Sequence, residues 1–120
     1  MSINIAIKIA KSLPEEKGKQ RLCAVITDKR GKILSVGVNN YTKSHPLQAS
    51  YAKKVGRDEA CFLHAEVASL VGLGYNDKPK AYKISIARVM KNGRTALAKP
   101  CRICQEALKD FNIRVIEFTN

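Results

Sequence analysis

The sequence has no tryptophan, only 6% aromatic residues and just two histidines, His45 and His64. A chain so poor in aromatics offers few flat surfaces on which bases could stack, which argues against a dedicated single-strand platform. No apolar run approaches the ~18 or more residues of a membrane span, so no membrane partner is expected. The opening "MSINIAIKIAKSL" carries lysines inside its apolar pattern and no small-residue cleavage site after a hydrophobic block. No secretory signal is therefore read, and a cytoplasmic location is expected. Without export, the four cysteines read as thiols or metal ligands rather than as a disulfide framework. Acidic side chains are scarce too, 10 against 22 basic ones, giving a formal net charge of +12. That balance implies affinity for anions such as nucleotide phosphate, nucleic acid or an acidic surface. A solvated basic surface that merely keeps the chain soluble is an equal reading.

What is present is the mixture of a globular protein, 45% hydrophobic and 27% charged. A length of 120 residues suits one domain spanning residues 1–120. Ile3, Ala6, Ile7, Ala10 and Leu13 recur at helical spacing and predict an amphipathic first helix closed by Pro14. "EEKGKQR" follows as a polar loop. "LCAVITD" and "KILSVGV", joined by "DKRGK", predict a β-hairpin, with Cys23 as a small buried thiol in its first strand. From Asn39 to Asp58 no period is sustained, and a functional loop is expected. An apolar helix begins at "FLHAEVASLVG" and ends near Gly72 or Gly74. "AYKISIARV" predicts a third strand, "CRICQEALKDF" after Pro100 a further helix, and "IRVIEF" a fourth strand. Hairpin, helix, strand, helix, strand argues for one mixed sheet covered by helices, its last two strands parallel across a crossover helix. The fold class is α/β, with four strands apparent.

Two short segments carry the chemistry. His64 and Glu66 open one helix, and Cys101 and Cys104 open another. Both helices follow strands expected to be neighbours, so their N-termini can meet at one edge of the sheet. One imidazole and two thiolates suit a zinc ion, whose charge the thiolates neutralise, and three protein ligands leave a tetrahedral position for water. Glu66, two residues after His64, is placed to handle protons rather than to bind the metal.

"HAE" with the downstream "PCRIC" resembles the zinc signature of the cytidine and deoxycytidylate deaminase superfamily, H-x-E…P-C-x-x-C. The resemblance spans roughly Leu22 to Phe118 and implies a three-layer α/β/α fold and a zinc-dependent hydrolase. Its members replace the amino group at C4 of cytosine, or at C6 of adenine, and release ammonia. By position, His64, Cys101 and Cys104 would hold zinc and Glu66 would shuttle protons. The Ala65 amide would help to hold the base, and "GVNN" resembles the family's G-x-N element, which assigns the sugar contact to Asn39 before Asn40. Family members usually carry a fifth strand, and the four apparent strands depart from that pattern. Oligomers are common in the family, and a homo-oligomer is what it implies here.

Several alternatives stay open at this level. Cys61, three residues before His64, could complete a closed four-ligand structural site with no catalytic water. "CRIC" could be a redox pair, although such a pair has no use for the distant H-x-E. A catalytically silent zinc protein that binds nucleic acid is a third possibility. His45 in "SHP" is either a hydrogen-bonded structural residue or a member of the substrate pocket. Tyr51, Tyr75 and Tyr82 read as packing residues, and Arg102 as a counter-charge or a solvated side chain. A free pyrimidine nucleotide such as dCMP is the expected substrate, with Lys43, Lys53, Lys54 and Arg57 near its 5′-phosphate. Cytosine or adenine in single-stranded DNA or RNA is the alternative.

Overall fold

Alternation decides which face each strand residue meets. In β1 (Arg21–Thr27), Cys23 and Val25 point to one side and Ala24 and Ile26 to the other, and all four are fully buried. β1 is therefore an interior strand with apolar cover on both faces. The computed structural model describes residues 2–15, 20–57 and 62–120. Around β1 it places β2 (Ile33–Val38), antiparallel, and β5 (Lys83–Val89), also antiparallel. β7 (Val115–Phe118) then pairs in parallel with β5. This gives the hairpin and the parallel final pair that the sequence predicts.

The helices cover both faces, which makes three layers. Helix α1 (Ser2–Ser12) lies on one face, where Ala6 and Ala10 pack with Cys23, Val25, Ala87 and Val89. Its first residue is tied down as Ser2 Oγ meets Ser85 Oγ at 2.8 Å. On the opposite face α3 (Ala65–Val71) and α4 (Arg102–Asp110) share a core with Ala24, Ile26, Ile84 and Ile86. Gly72 caps α3, as the glycine signal implied.

Three expectations need correction. The main sheet has five strands rather than four, because β6 (Thr95–Ala96) pairs with the end of β5 through Arg88 and Val89. Two residues are too few to carry a pattern. The segment from Asn39 onward is also not an irregular loop. It holds β3 (Asn40–Ser44), which pairs with β4 (Phe62–Leu63), and helix α2 (Pro46–Lys54) between them. Pro46 opens α2 and His45 Nδ1 accepts the Leu47 N–H at 3.0 Å, a regular N-cap. The buried face of α2 is Gln48, Tyr51 and Ala52, so helical spacing is present without an apolar stripe to reveal it. Tyr51 packs as expected, its hydroxyl donating to Asp110 Oδ2 at 2.7 Å, whereas Tyr75 is 89% exposed rather than packed.

A close contact sets where α3 lies. An added Cβ on Gly37 of β2 would stand 2.6 Å from the Ala65 carbonyl oxygen and closer still to Ser69 N. The helix thus rests directly on the strand, and Ser35 Oγ donates to Ser69 O at 2.7 Å beside it.

Candidate active site

His64 and Cys101 are the residues immediately before α3 and α4, in extended backbone, and neither side chain caps its helix. Both are therefore free to face each other across the gap between the helix starts. Cys104, in the first turn of α4, is buried and completes the group. His64 Nδ1 lies 3.3 Å from Cys104 Sγ and 3.5 Å from Cys101 Sγ. The three ligand atoms fall within 4.8 Å of one another.

These separations suit zinc. Bonds of ~2.3 Å to sulfur and ~2.0–2.1 Å to nitrogen in a tetrahedron put nitrogen and sulfur about 3.6 Å apart. The observed spacings need only a few tenths of an ångström of adjustment. His64, Cys101 and Cys104 could hold a zinc ion, with Nδ1 as the ligating nitrogen.

The electrostatics of the metal-free cluster follow from shared protons. Cys101 is pulled down to about 4, chiefly by the hydrogen bond from Cys104 and further by the His64 imidazole. Cys104 is pushed up by the same bond and by burial. One proton is thus kept on Cys104 and given up by Cys101. His64 is raised, first by its hydrogen bond with Cys101, against the opposing effect of burial. Zinc ligation requires both sulfurs as thiolates and the imidazole neutral, so binding releases protons from this group.

Glu66 sits in the first turn of α3, where the helix dipole favours a carboxylate, yet it is only 6% exposed. Burial raises its pKa, while hydrogen bonding to its own backbone amide and the nearby His64 act to lower it. Beyond the Cys101 hydrogen bond and burial, the Glu66 charge also pushes the Cys104 thiol up.

A cavity of about 290 Å³ opens in front of this group, with His64, Ala65, Glu66, Cys101, Asn39 and Lys99 in its wall. Ala65 is 1% exposed at the first position of α3. Asn39 lines the cavity, but its amide is already engaged: Oδ1 accepts Leu22 N–H at 3.1 Å and Nδ2 donates to Gln20 O at 2.9 Å. Asn40 borders the same space. His45 is not brought to the cavity wall and serves as the α2 cap. Lys54 faces α4 instead, 3.6 Å from Asp110 and 3.9 Å from Glu106. Arg57 is close enough to His64 to oppose its protonation. The Lys43 side chain and residues 58–61, including Cys61, lie outside the described residues, as does most of the expected loop after Pro14.

Two contributors carry no separate signal in the sequence. Lys99 is the exposed cation in the cavity wall, two residues ahead of Cys101. Gln48 of α2 is fully buried, and its Oε1 accepts the His64 N–H at 3.2 Å, so α2 holds the start of α3 from behind. Its Nε2 has no hydrogen-bond partner among the described residues.

Residues 2–119 match the family model for the cytidine and deoxycytidylate deaminase zinc-binding region. No curated protein matches the chain.

Proposed function

Because the chain belongs to the cytidine and deoxycytidylate deaminase family and is thus a zinc-dependent deaminase, we propose that its substrate is a free pyrimidine nucleotide resembling dCMP. The observation that carries this reading is a cavity of about 290 Å³ with the cluster at its wall and Lys99 at its rim. That volume is at the small end of ligand sites, which span roughly 300–1,000 Å³, and suits one nucleotide. Lys99 offers a cation for a 5′-phosphate, the role that the sequence suggests for Lys43, Lys53, Lys54 and Arg57.

In this reading His64, Cys101 and Cys104 hold the metal. Zinc, when bound, supplies a Lewis acid that lowers the pKa of water from about 15.7 towards ~7. Glu66 takes the first proton that water gives up and delivers it to the ring nitrogen beside C4, then takes the second, from the new hydroxyl at C4, and delivers it to the departing amino group. A C–O bond forms at C4, the C–N bond breaks, and ammonia leaves with uracil as the other product. The buried position of Glu66 keeps its proton from bulk solvent. The backbone at Ala65 borders the base, and Asn39, already braced by Gln20 and Leu22, presents its remaining hydrogen-bonding capacity to the sugar.

A second reading, cytosine or adenine in single-stranded DNA or RNA, is favoured by the net charge of +12. Ammonia release from zinc-loaded protein on a panel of nucleosides, mono- and triphosphates and oligonucleotides separates the two. Turnover of dCMP with none on oligonucleotides is expected. Turnover confined to oligonucleotides, falling steeply with salt, would overturn the proposal in favour of the second reading.

A further inference from the structure

A cluster of cations with no carboxylate partner among the described residues lies away from the metal cluster, at the other end of the sheet. Three loops meet there: the β1–β2 turn, the turn around Lys78–Lys80 that precedes β5, and the link from α4 to β7. They enclose a cleft of about 1050 Å³ walled by Lys29, Arg30, Lys78, Lys80 and Arg114, all five exposed. The acidic residue of the wall, Asp28, is occupied by the turn itself, its Oδ1 accepting the N–H groups of Arg30 and Lys32 at 2.9 Å each. Among the described residues, no carboxylate forms an ion pair with any of the five cations.

Two rings, Tyr82 and Phe111, are half-buried in the same wall, and Lys29 Nζ lies 5.6 Å from the Tyr82 ring centroid. Leu22, near the start of β1, lines the active-site cavity, while Asp28, just past its end, lines the cleft. A strand of that length spans roughly 20 Å, so the two sites are separate.

We propose that this cleft binds single-stranded nucleic acid, its cations following the phosphates and its rings receiving bases. Closely spaced cations without local counter-charges are costly to maintain unless an anion with several charges offsets them. Stacking rings set among them are the combination that single-strand sites use. The cleft is also larger than one nucleotide needs. The proposal does not depend on which substrate the zinc site takes.

The test is fluorescence anisotropy of a labelled twelve-residue oligo(dT) with the zinc-loaded full chain, across a salt series. Thymine has no amino group to lose, so the measurement is independent of deamination. Binding is expected to weaken linearly in log–log form with salt. A Lys78→Ala/Lys80→Ala/Arg114→Ala variant is expected to bind at least tenfold more weakly, with a salt slope smaller by about 2, at ~0.7 for each phosphate that the three cations no longer neutralise. Tyr82→Leu is expected to weaken binding roughly fivefold or more with the salt slope unchanged. Zinc content and deaminase turnover of the triple variant should equal those of the wild type, which separates a binding defect from misfolding. Wild-type affinity in the triple variant would overturn the proposal. So would displacement of the oligonucleotide by thymidine triphosphate at an equal concentration, since a single nucleotide would then be the ligand.

Discussion

Replacing Gly37 with alanine should disable the zinc site from a distance. The new methyl carbon would stand 2.6 Å from the Ala65 carbonyl oxygen, where ordinary contact begins at 3.4 Å. The obstructing atoms are backbone, on Ala65, Ala68 and Ser69, so no side-chain rotation relieves them. The tightest contact, 2.3 Å to Ser69 N, requires α3 to withdraw from β2 by about 1.1 Å before ordinary contact at 3.4 Å is restored. His64 and Glu66 travel with α3, whereas Cys101 and Cys104 stay with α4. The nitrogen-to-sulfur spacings therefore change while the sulfur-to-sulfur spacing does not. Overpacking of this kind costs about 1–3 kcal/mol, which for a chain of this size lowers the melting temperature by roughly 5–15 °C. Disturbing the support of a metal ligand weakens metal binding by ~10–100-fold, and misplacing catalytic groups by close to an ångström costs ~10²-fold in turnover. Thermal melts with and without zinc, competition against a chromophoric chelator, and ammonia release measure the three effects. Gly74→Ala is the control, because its methyl would meet only Asp77 Oδ2 at 3.7 Å. A Gly37→Ala protein with wild-type melting temperature and zinc affinity would refute the claim that this contact positions α3.

Glu66→Gln preserves shape but cannot carry the proton, so turnover should drop by at least ~10²-fold with zinc stoichiometry unchanged. Gln48→Leu leaves the His64 N–H, now 3.2 Å from Gln48 Oε1, without its acceptor. A loss of about 1–3 kcal/mol in urea unfolding is expected, together with weaker zinc binding. Cys23, fully buried in the α1 layer, has its thiol pushed from 9.0 up to about 11 by burial. The folded protein then holds this proton more tightly than the unfolded chain. The stabilisation is complete below about pH 9 and declines as pH rises towards 11, a loss of roughly 2–3 kcal/mol at most. Urea melts at pH 8 and pH 10.5 should show that decline in the wild type and a smaller one in Cys23→Ala.

Strands β1, β2, β5 and β7 could be read in the sequence because each is a β-branched, apolar-rich run of its own, β1 and β5 being buried on both faces. Helix α2 could not, since its inward residues Gln48, Tyr51 and Ala52 are polar, aromatic and small. Ordinary periodicity sees no stripe there, although Pro46 and His45 hold the start signal. The ligand trio was accessible for a different reason: each half is compact in sequence, and topology supplies the rest. Lys99 and Gln48 enter the site only through the packing of elements distant in the chain. Asn39 illustrates the mixed case. Its spacing after β2 brings it to the cavity, yet its hydrogen bonds to Gln20 and Leu22 depend on how the chain enters β1, which no local pattern records.

X-ray absorption at the zinc edge of the loaded protein tests the account most directly, because sulfur and lighter donors are distinguished by distance, ~2.3 Å against ~2.0–2.1 Å. Two sulfur and two lighter donors are predicted, unchanged in Cys61→Ser: the His64 nitrogen, the two cysteine sulfurs, and one oxygen from solvent. Three sulfur donors in the wild type, falling to two in Cys61→Ser, would mean a closed structural site and would contradict the proposed chemistry.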